Sequence, residues 1–197
     1  MSRVKFKNPL LVVTDMERSK AFYREVLGLR VIMDFGANVT LTGGVCLQTK
    51  ESWLELIQAE KSRQAVRDGV VFGGLDAELY FEEDDFDAFI EKAEKLDFLE
   101  YVHPAVEHPW GQRVVRFYDP DRHVIEVGEK METVCRRFLD AGMTAQEIAE
   151  RMNVPIKFVN HCIRAGENHA GDRCGLSGCA ESVAVRGRER LLPDRGY

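Results

Sequence analysis

Between residues 103 and 118 the chain gathers His103, His108, Trp110, Arg113, Arg116 and Tyr118. Imidazoles, guanidinium donors and aromatic surface are what recognition of an anionic or aromatic small molecule requires. The strand period decides which of them act together. Gln112, Val114 and Arg116 share one face and Arg113, Val115 and Phe117 the other, so only one of the two arginines lines a pocket. A histidine in a connecting segment beside proline is more often a surface group than a catalytic one, and Trp110 serves equally well as core. A second grouping, His161, Cys162, His169, Cys174 and Cys179, invites zinc, but its spacing fits no standard structural-zinc pattern. The five cysteines are an odd number in a chain whose first residues lead into no secretion signal, so reduced thiols and a cytoplasmic location are expected.

The elements that must position these side chains come in a repeat. Residues 9–28 read as a short apolar strand, an acidic helix start at Asp15 and a helix with Phe22, Val26 and Leu27 on one face. Residues 77–96 repeat the plan from Asp85, with Phe86, Phe89, Ile90, Ala93 and Leu96 at helical spacing. Three further strands follow each helix. In the first unit they are 30–35, 39–42 and 45–49, with a Gly43-Gly44 turn. In the second they are 100–106, 112–118 and 123–128, with an Asp119-Pro120-Asp121-Arg122 turn. The spacing predicts two βαβββ units, 4–49 and 75–128, joined by an amphipathic connector helix over 51–66 with Trp53 and Ile57 inward.

This sequence resembles the vicinal oxygen chelate superfamily of glyoxalase I, bleomycin-resistance proteins and extradiol dioxygenases. The resemblance rests on Val13-Thr14-Asp15-Met16-Glu17-Arg18-Ser19 running into Phe22-Tyr23 and Leu27-Gly28. It rests equally on Arg116-Phe117-Tyr118-Asp119-Pro120-Asp121 running into Ile125-Glu126. It covers residues 4–129 and implies an α+β fold in which the two units form a half-open barrel, commonly paired as a homodimer. Carried over by position, it implies metal ligands Asn8 and Glu78 from the first strands and Glu126 from the last. Gln48 takes the fourth place, or Glu55 if Leu54-Glu55-Leu56 imitates a strand end. Gln48 is preferred, because residues 53–57 have helical spacing.

The resemblance further implies a divalent metal (manganese, magnesium, nickel or zinc) and a lyase or isomerase acting on a small carbonyl or thiol-adduct substrate, with Glu126 or Glu78 as the proton shuttle. The residues qualify this. Two carboxylates and two amides make an all-oxygen set suited to magnesium, manganese or calcium, and the missing imidazoles count against zinc and against an iron dioxygenase. The favoured alternative is a polar pocket without metal, in which the carboxylates pair with Asn8, Gln48 or arginine. Such a protein sequesters its ligand without chemistry. Arg122 stands where the family usually has glycine, at a cost on the order of 1 kcal/mol if the backbone keeps a positive φ there.

From Glu132 the strand pattern stops. Val134, Phe138 and Leu139 mark a helix ending at Gly142; Thr144 to Glu147 is a capping box opening a second; Pro155 suits the first turn of a third carrying Phe158, Val159 and Cys162. Thr144 to Val154 looks like the first helix and turn of a helix-turn-helix, so a ligand-responsive regulator using residues 144–164 is one reading. A hairpin that caps the barrel or builds a dimer contact is favoured, because phosphate anchoring needs several cations. The domains expected are 1–129, an appendage over 130–166 and a mobile tail over 167–197 rich in glycine and arginine. The net charge of −6 divides unevenly. Residues 1–129 hold 24 acidic and 16 basic side chains, and residues 130–166 hold 4 and 6. Nucleic acid is therefore an unfavoured partner, a small molecule the expected one, and no apolar run is long enough to cross a membrane.

Overall fold

Each unit begins with the same local event. Asp15 and Asp85 accept hydrogen bonds from the backbone N–H groups of Arg18 and Ala88, at 3.0 and 3.1 Å, and so start a helix one turn after a strand. In the computed structural model, which describes residues 4–57 and 70–164, the first unit runs β1 (Leu10–Val13), α1 (Met16–Leu27), β2 (Val31–Asp34), β3 (Asn38–Leu41) and β4 (Cys46–Thr49). The connector follows as α2 (Lys50–Ile57); the rest of the expected connector, residues 58–66, lies outside the described residues. The second unit is β5 (Glu78–Glu83), α3 (Phe86–Ala93), β6 (Tyr101–Glu107), β7 (Arg113–Tyr118) and β8 (Val124–Glu129).

The sheets have the orders β1-β4-β3-β2 and β5-β8-β7-β6, each with one parallel pair made by the first and last strands. They remain two four-stranded sheets, not a closed barrel. Leu47, Val39 and Val13 from the first sheet, Phe117, Ile125 and Val127 from the second, and Phe22, Tyr23, Phe86 and Phe89 from α1 and α3 form one buried cluster. Alternation then turns Glu78, Tyr80, Arg116 and Glu126 to the opposite, open face of the second sheet.

The turn between β7 and β8 ties the units together. Asp121 accepts from the Thr14 N–H at 3.1 Å and pairs with Arg18 at 3.2 Å, and Asp119 accepts from the buried Tyr23 hydroxyl at 3.0 Å. Asp119 also holds the His123 ring through Nδ1 at 2.8 Å. Both carboxylates of the Asp-Pro-Asp turn are thus engaged structurally. Arg122 does take a left-handed backbone, at φ 67°. Its guanidinium lies 4.2 Å from the Tyr118 ring centroid and donates to both Glu100 oxygens at 2.7 and 2.9 Å, contacts that offset the strain.

Beyond β8 come α4 (Met131–Asp140), α5 (Ala145–Met152) and a third helix, α6, over 156–164. The capping box is present in full, with the Thr144 side chain accepting from the Glu147 N–H and the Glu147 carboxylate accepting from the Thr144 N–H. These helices close around a core of their own, made by Val134, Phe138, Ile148, Met152, Val159 and Cys162. The appendage is thus a unit of three helices, as the three helix signals after Glu132 predict. Arg137 donates to Glu129 and to the carbonyl of Gly111, and Phe138 lies where a Cβ on Gly111 would fall. The expected tail, with His169, Cys174 and Cys179, lies outside the described residues. No helix among those described is long and apolar enough to cross a membrane.

Candidate functional site

The open face of the second sheet carries a row of four side chains fixed by strand register: Tyr80 on β5 opposite Glu126 on β8, Glu126 opposite Arg116 on β7, and Arg116 opposite His103 on β6. Arg116 is the hub. Its Nε donates to Glu78 at 2.9 Å, another of its nitrogens abuts Oε2 of Glu126, and a third meets His103 Nε2 at 3.1 Å. His103 Nδ1 lies 2.8 Å from the Pro104 carbonyl. The ring thus bridges the Pro104 carbonyl and the Arg116 guanidinium, a pattern met with Nδ1–H donating and Nε2 accepting. Glu126 is only 6% exposed, so its charge needs this partner.

Above the row, Gln112 donates to the Tyr80 hydroxyl at 2.8 Å and to the Glu129 carbonyl at 2.9 Å, and accepts from Trp110 Nε1 at 3.2 Å. Trp110 stacks on His108 with ring centroids 4.2 Å apart. Burial, and then the nearby Arg116, lower the His108 pKa and so favour its uncharged ring. Gly128 makes the arrangement possible, since a Cβ there would stand 2.9 Å from the Gln112 amide nitrogen and 3.0 Å from the Tyr80 ring. A cavity of about 440 Å³ opens beside the row, lined by Leu75, Ala77, Glu78, Val102, Arg116 and Val124. That volume suits a small molecule.

The corresponding face of the first sheet is neutral. Asn8 donates to Cys46 Sγ at 3.0 Å, and Thr40 lies 3.4 Å from the same sulfur. Gln48 accepts from Asn38 and donates to Ser52 of α2, both at 2.6 Å. Register also corrects an equivalence. With Asp15 matched to Asp85, Leu10 matches Tyr80; Leu10 pairs with Cys46 where Tyr80 pairs with Glu126. The counterpart of Glu126 is therefore Cys46, and that of Gln48 is Gly128. The sequence misaligned them because the turn before β4 is two residues out of step with the one before β8. Glu55 sits exposed on α2, away from either strand.

The four residues Asn8, Gln48, Glu78 and Glu126 do not form a set that fits a divalent ion. Arg116 already pairs with both carboxylates, and both amides have close partners in the other sheet. Among the described residues no group of three or more His, Cys, Asp or Glu is placed to hold a metal.

The family model of the glyoxalase-like domain matches residues 6–132. The chain belongs to the glyoxalase-like family. It is thereby a member of the vicinal oxygen chelate superfamily. Among solved structures, a protein of unknown function from Agrobacterium tumefaciens str. C58 is 39% identical, with 66% of this chain covering 97% of that one at a TM-score of 0.56. A glyoxalase/bleomycin resistance protein/dioxygenase from Nocardioides is 20% identical over 66% of this chain and 85% of its own, at a TM-score of 0.50. A family enzyme from Burkholderia phytofirmans PsJN is 21% identical over 62% and 96%, at 0.51. These last two speak to fold alone. No curated protein matches the chain.

Within this glyoxalase-like frame the sequence-predicted site residues separate into groups. Glu78, Glu126, Arg116 and His103 come together, and Trp110 joins them through Gln112 and Tyr80. Arg113 does not: it lies on the other face, 3.1 Å from Glu129 and 2.6 Å from Asp87, with its guanidinium over the Phe86 ring. It is an anchor for β8, and strand alternation predicts its separation from Arg116. Tyr118 is likewise withdrawn, under Arg122 at the turn. Tyr80 and Gly128 are not among the sequence-predicted site residues, although Tyr80, two residues from Glu78 on β5, shares its face.

Proposed function

We propose that this glyoxalase-like protein binds a small molecule on the open face of its second sheet, and does so without a resident metal. The observation that supports this best is the pairing of Arg116 with both Glu78 and Glu126, which puts a fixed cation between the two carboxylates. A metal-dependent lyase or isomerase would need those carboxylates free, one to hold the ion and one to move a proton. Sequestration without chemistry needs neither. The Arg116 guanidinium is also committed, so an anion has little to gain from it. Glu78, Glu126 and Arg116 leave one net negative charge, Glu78 keeps 40% of its side chain exposed, and Tyr80 and Trp110 present 47% and 37% of theirs. The ligand class that fits has a cationic or hydrogen-bond-donating head and a flat apolar body.

Trp110 offers the readout. Titration with aromatic amines, followed by indole fluorescence, is expected to give saturable binding that Glu78→Gln weakens about tenfold, the effect of a charge-assisted contact. Metal-dependent turnover of a thiol-adduct carbonyl substrate, abolished in Glu126→Gln, would establish the lyase reading instead. The same proposal includes a homodimer, because the edge strands expose Val31, Ile32 and Met33 on β2 and Val102 and Val106 on β6. A monomer by light scattering at micromolar concentration contradicts that part. It also includes the cytoplasm, where Cys46, Cys135 and Cys162 stay free thiols.

A further inference from the structure

We propose that α5, the turn 153–155 and α6 form a helix-turn-helix that binds duplex DNA, with α6 entering the major groove. The inference does not depend on the small-molecule reading. Val159 and Cys162 spend one side of α6 on the appendage core. The other side carries Lys157, Asn160, His161 and Arg164, all exposed and spaced so that they form one stripe along the helix. Arginine, lysine and asparagine are side chains that pair with guanine and adenine edges. From 156 to 164 there is no Asp or Glu; the acidic groups of the appendage, Glu132, Asp140, Glu147 and Glu150, all sit on α4 and α5.

The turn has the length the motif uses, and Asn153 takes it with a left-handed backbone at φ 52°. The Glu147 carboxylate is engaged by its own helix start, with Thr144 N and Oγ1 donating at 2.8 and 2.7 Å. The appendage is an addition to the ligand-binding fold: the family match ends at residue 132, and the Agrobacterium protein is covered over 97% of its length by 66% of this chain. It is clamped to the second sheet through Arg137 of α4 and Arg151 of α5 on Glu107 and Glu129, pairs that leave the exposed stripe of α6 unused. Those clamps, with Lys130 on Asp84, take up half of the appendage cations. Arg136, Lys157 and Arg164 are without an ion-pair partner among the described residues and supply the phosphate contacts.

Three such contacts make weak, salt-sensitive binding, and this is measurable. Fluorescence anisotropy of the full chain on a labelled mixed-sequence duplex about three helical turns long is expected to show micromolar binding at about 50 mM salt. Affinity should fall about 40-fold by about 200 mM, the factor three released counterions give. Lys157→Ala with Arg164→Ala, both exposed and checked for folding by circular dichroism, should reduce the log–log salt slope from about −2.7 to about −0.9. No binding at low salt overturns the proposal. So does binding unchanged in the double variant, which would locate it elsewhere in the chain, or tighter binding to single-stranded RNA than to the duplex.

Discussion

The two βαβββ units share strand order and register but spend them on different chemistry. At matching positions the first unit has Asn8, Cys46 and Thr40, linked through a buried sulfur, and the second has Glu78, Glu126 and Arg116, linked through a guanidinium. Thr49, the counterpart of Glu129, merely precedes α2, whereas Glu129 is fully buried between Arg113 and Arg137 and anchors the appendage. Register therefore delivers side chains to a place, and the place becomes a site only where charged side chains arrive.

The contrast can be broken by substitution. Glu129→Gln should have the largest effect, about 3–4 kcal/mol in urea unfolding, because it leaves two arginines facing a neutral amide. Burial raises the Glu129 pKa, but hydrogen bonds from Arg113 and Arg137 overcome this and hold the folded value below the ordinary 4.5. Its contribution is thus complete above that value and is lost as pH falls through the depressed one. The wild type should lose stability below about pH 4.5 more steeply than Glu129→Gln. Arg116→Met follows at about 2–3 kcal/mol, since Glu126 then lies buried without its cation. Gly128→Ala should cost about 1–2 kcal/mol through the collision with Tyr80 and Gln112, and should also change the Trp110 emission. Thr40→Val, the counterpart of Arg116→Met, should stay below about 1 kcal/mol, as the loss of one neutral hydrogen bond does. Equal effects at Thr40 and Arg116 would erase the distinction between the units.

Much of the fold was legible in the sequence because local signals agreed with one another. Asp15 and Asp85 cap their helices, Thr144 and Glu147 form the capping box, and the strand-helix spacing shows the repeat. The site was half legible. Alternation separates Arg116 from Arg113 and the family resemblance supplies Glu78, but neither says which strand lies beside which. The Tyr80–Glu126–Arg116–His103 row is a property of sheet order between residues 10 to 46 apart in sequence, and no local pattern carries it. The Gln48 assignment failed for a related reason: the loop lengths before the last strands differ, and only pairing with the first strand fixes the register.

The central claim is that Arg116 engages Glu78 and Glu126 as a fixed cation and leaves no resident metal on them. Titrating the chelator-treated protein with manganese and with nickel, followed by elemental analysis of the dialysed product, tests it directly. The account predicts no stoichiometric metal in the wild type and none in Glu126→Gln. One equivalent retained by the wild type and lost in Glu126→Gln would contradict it.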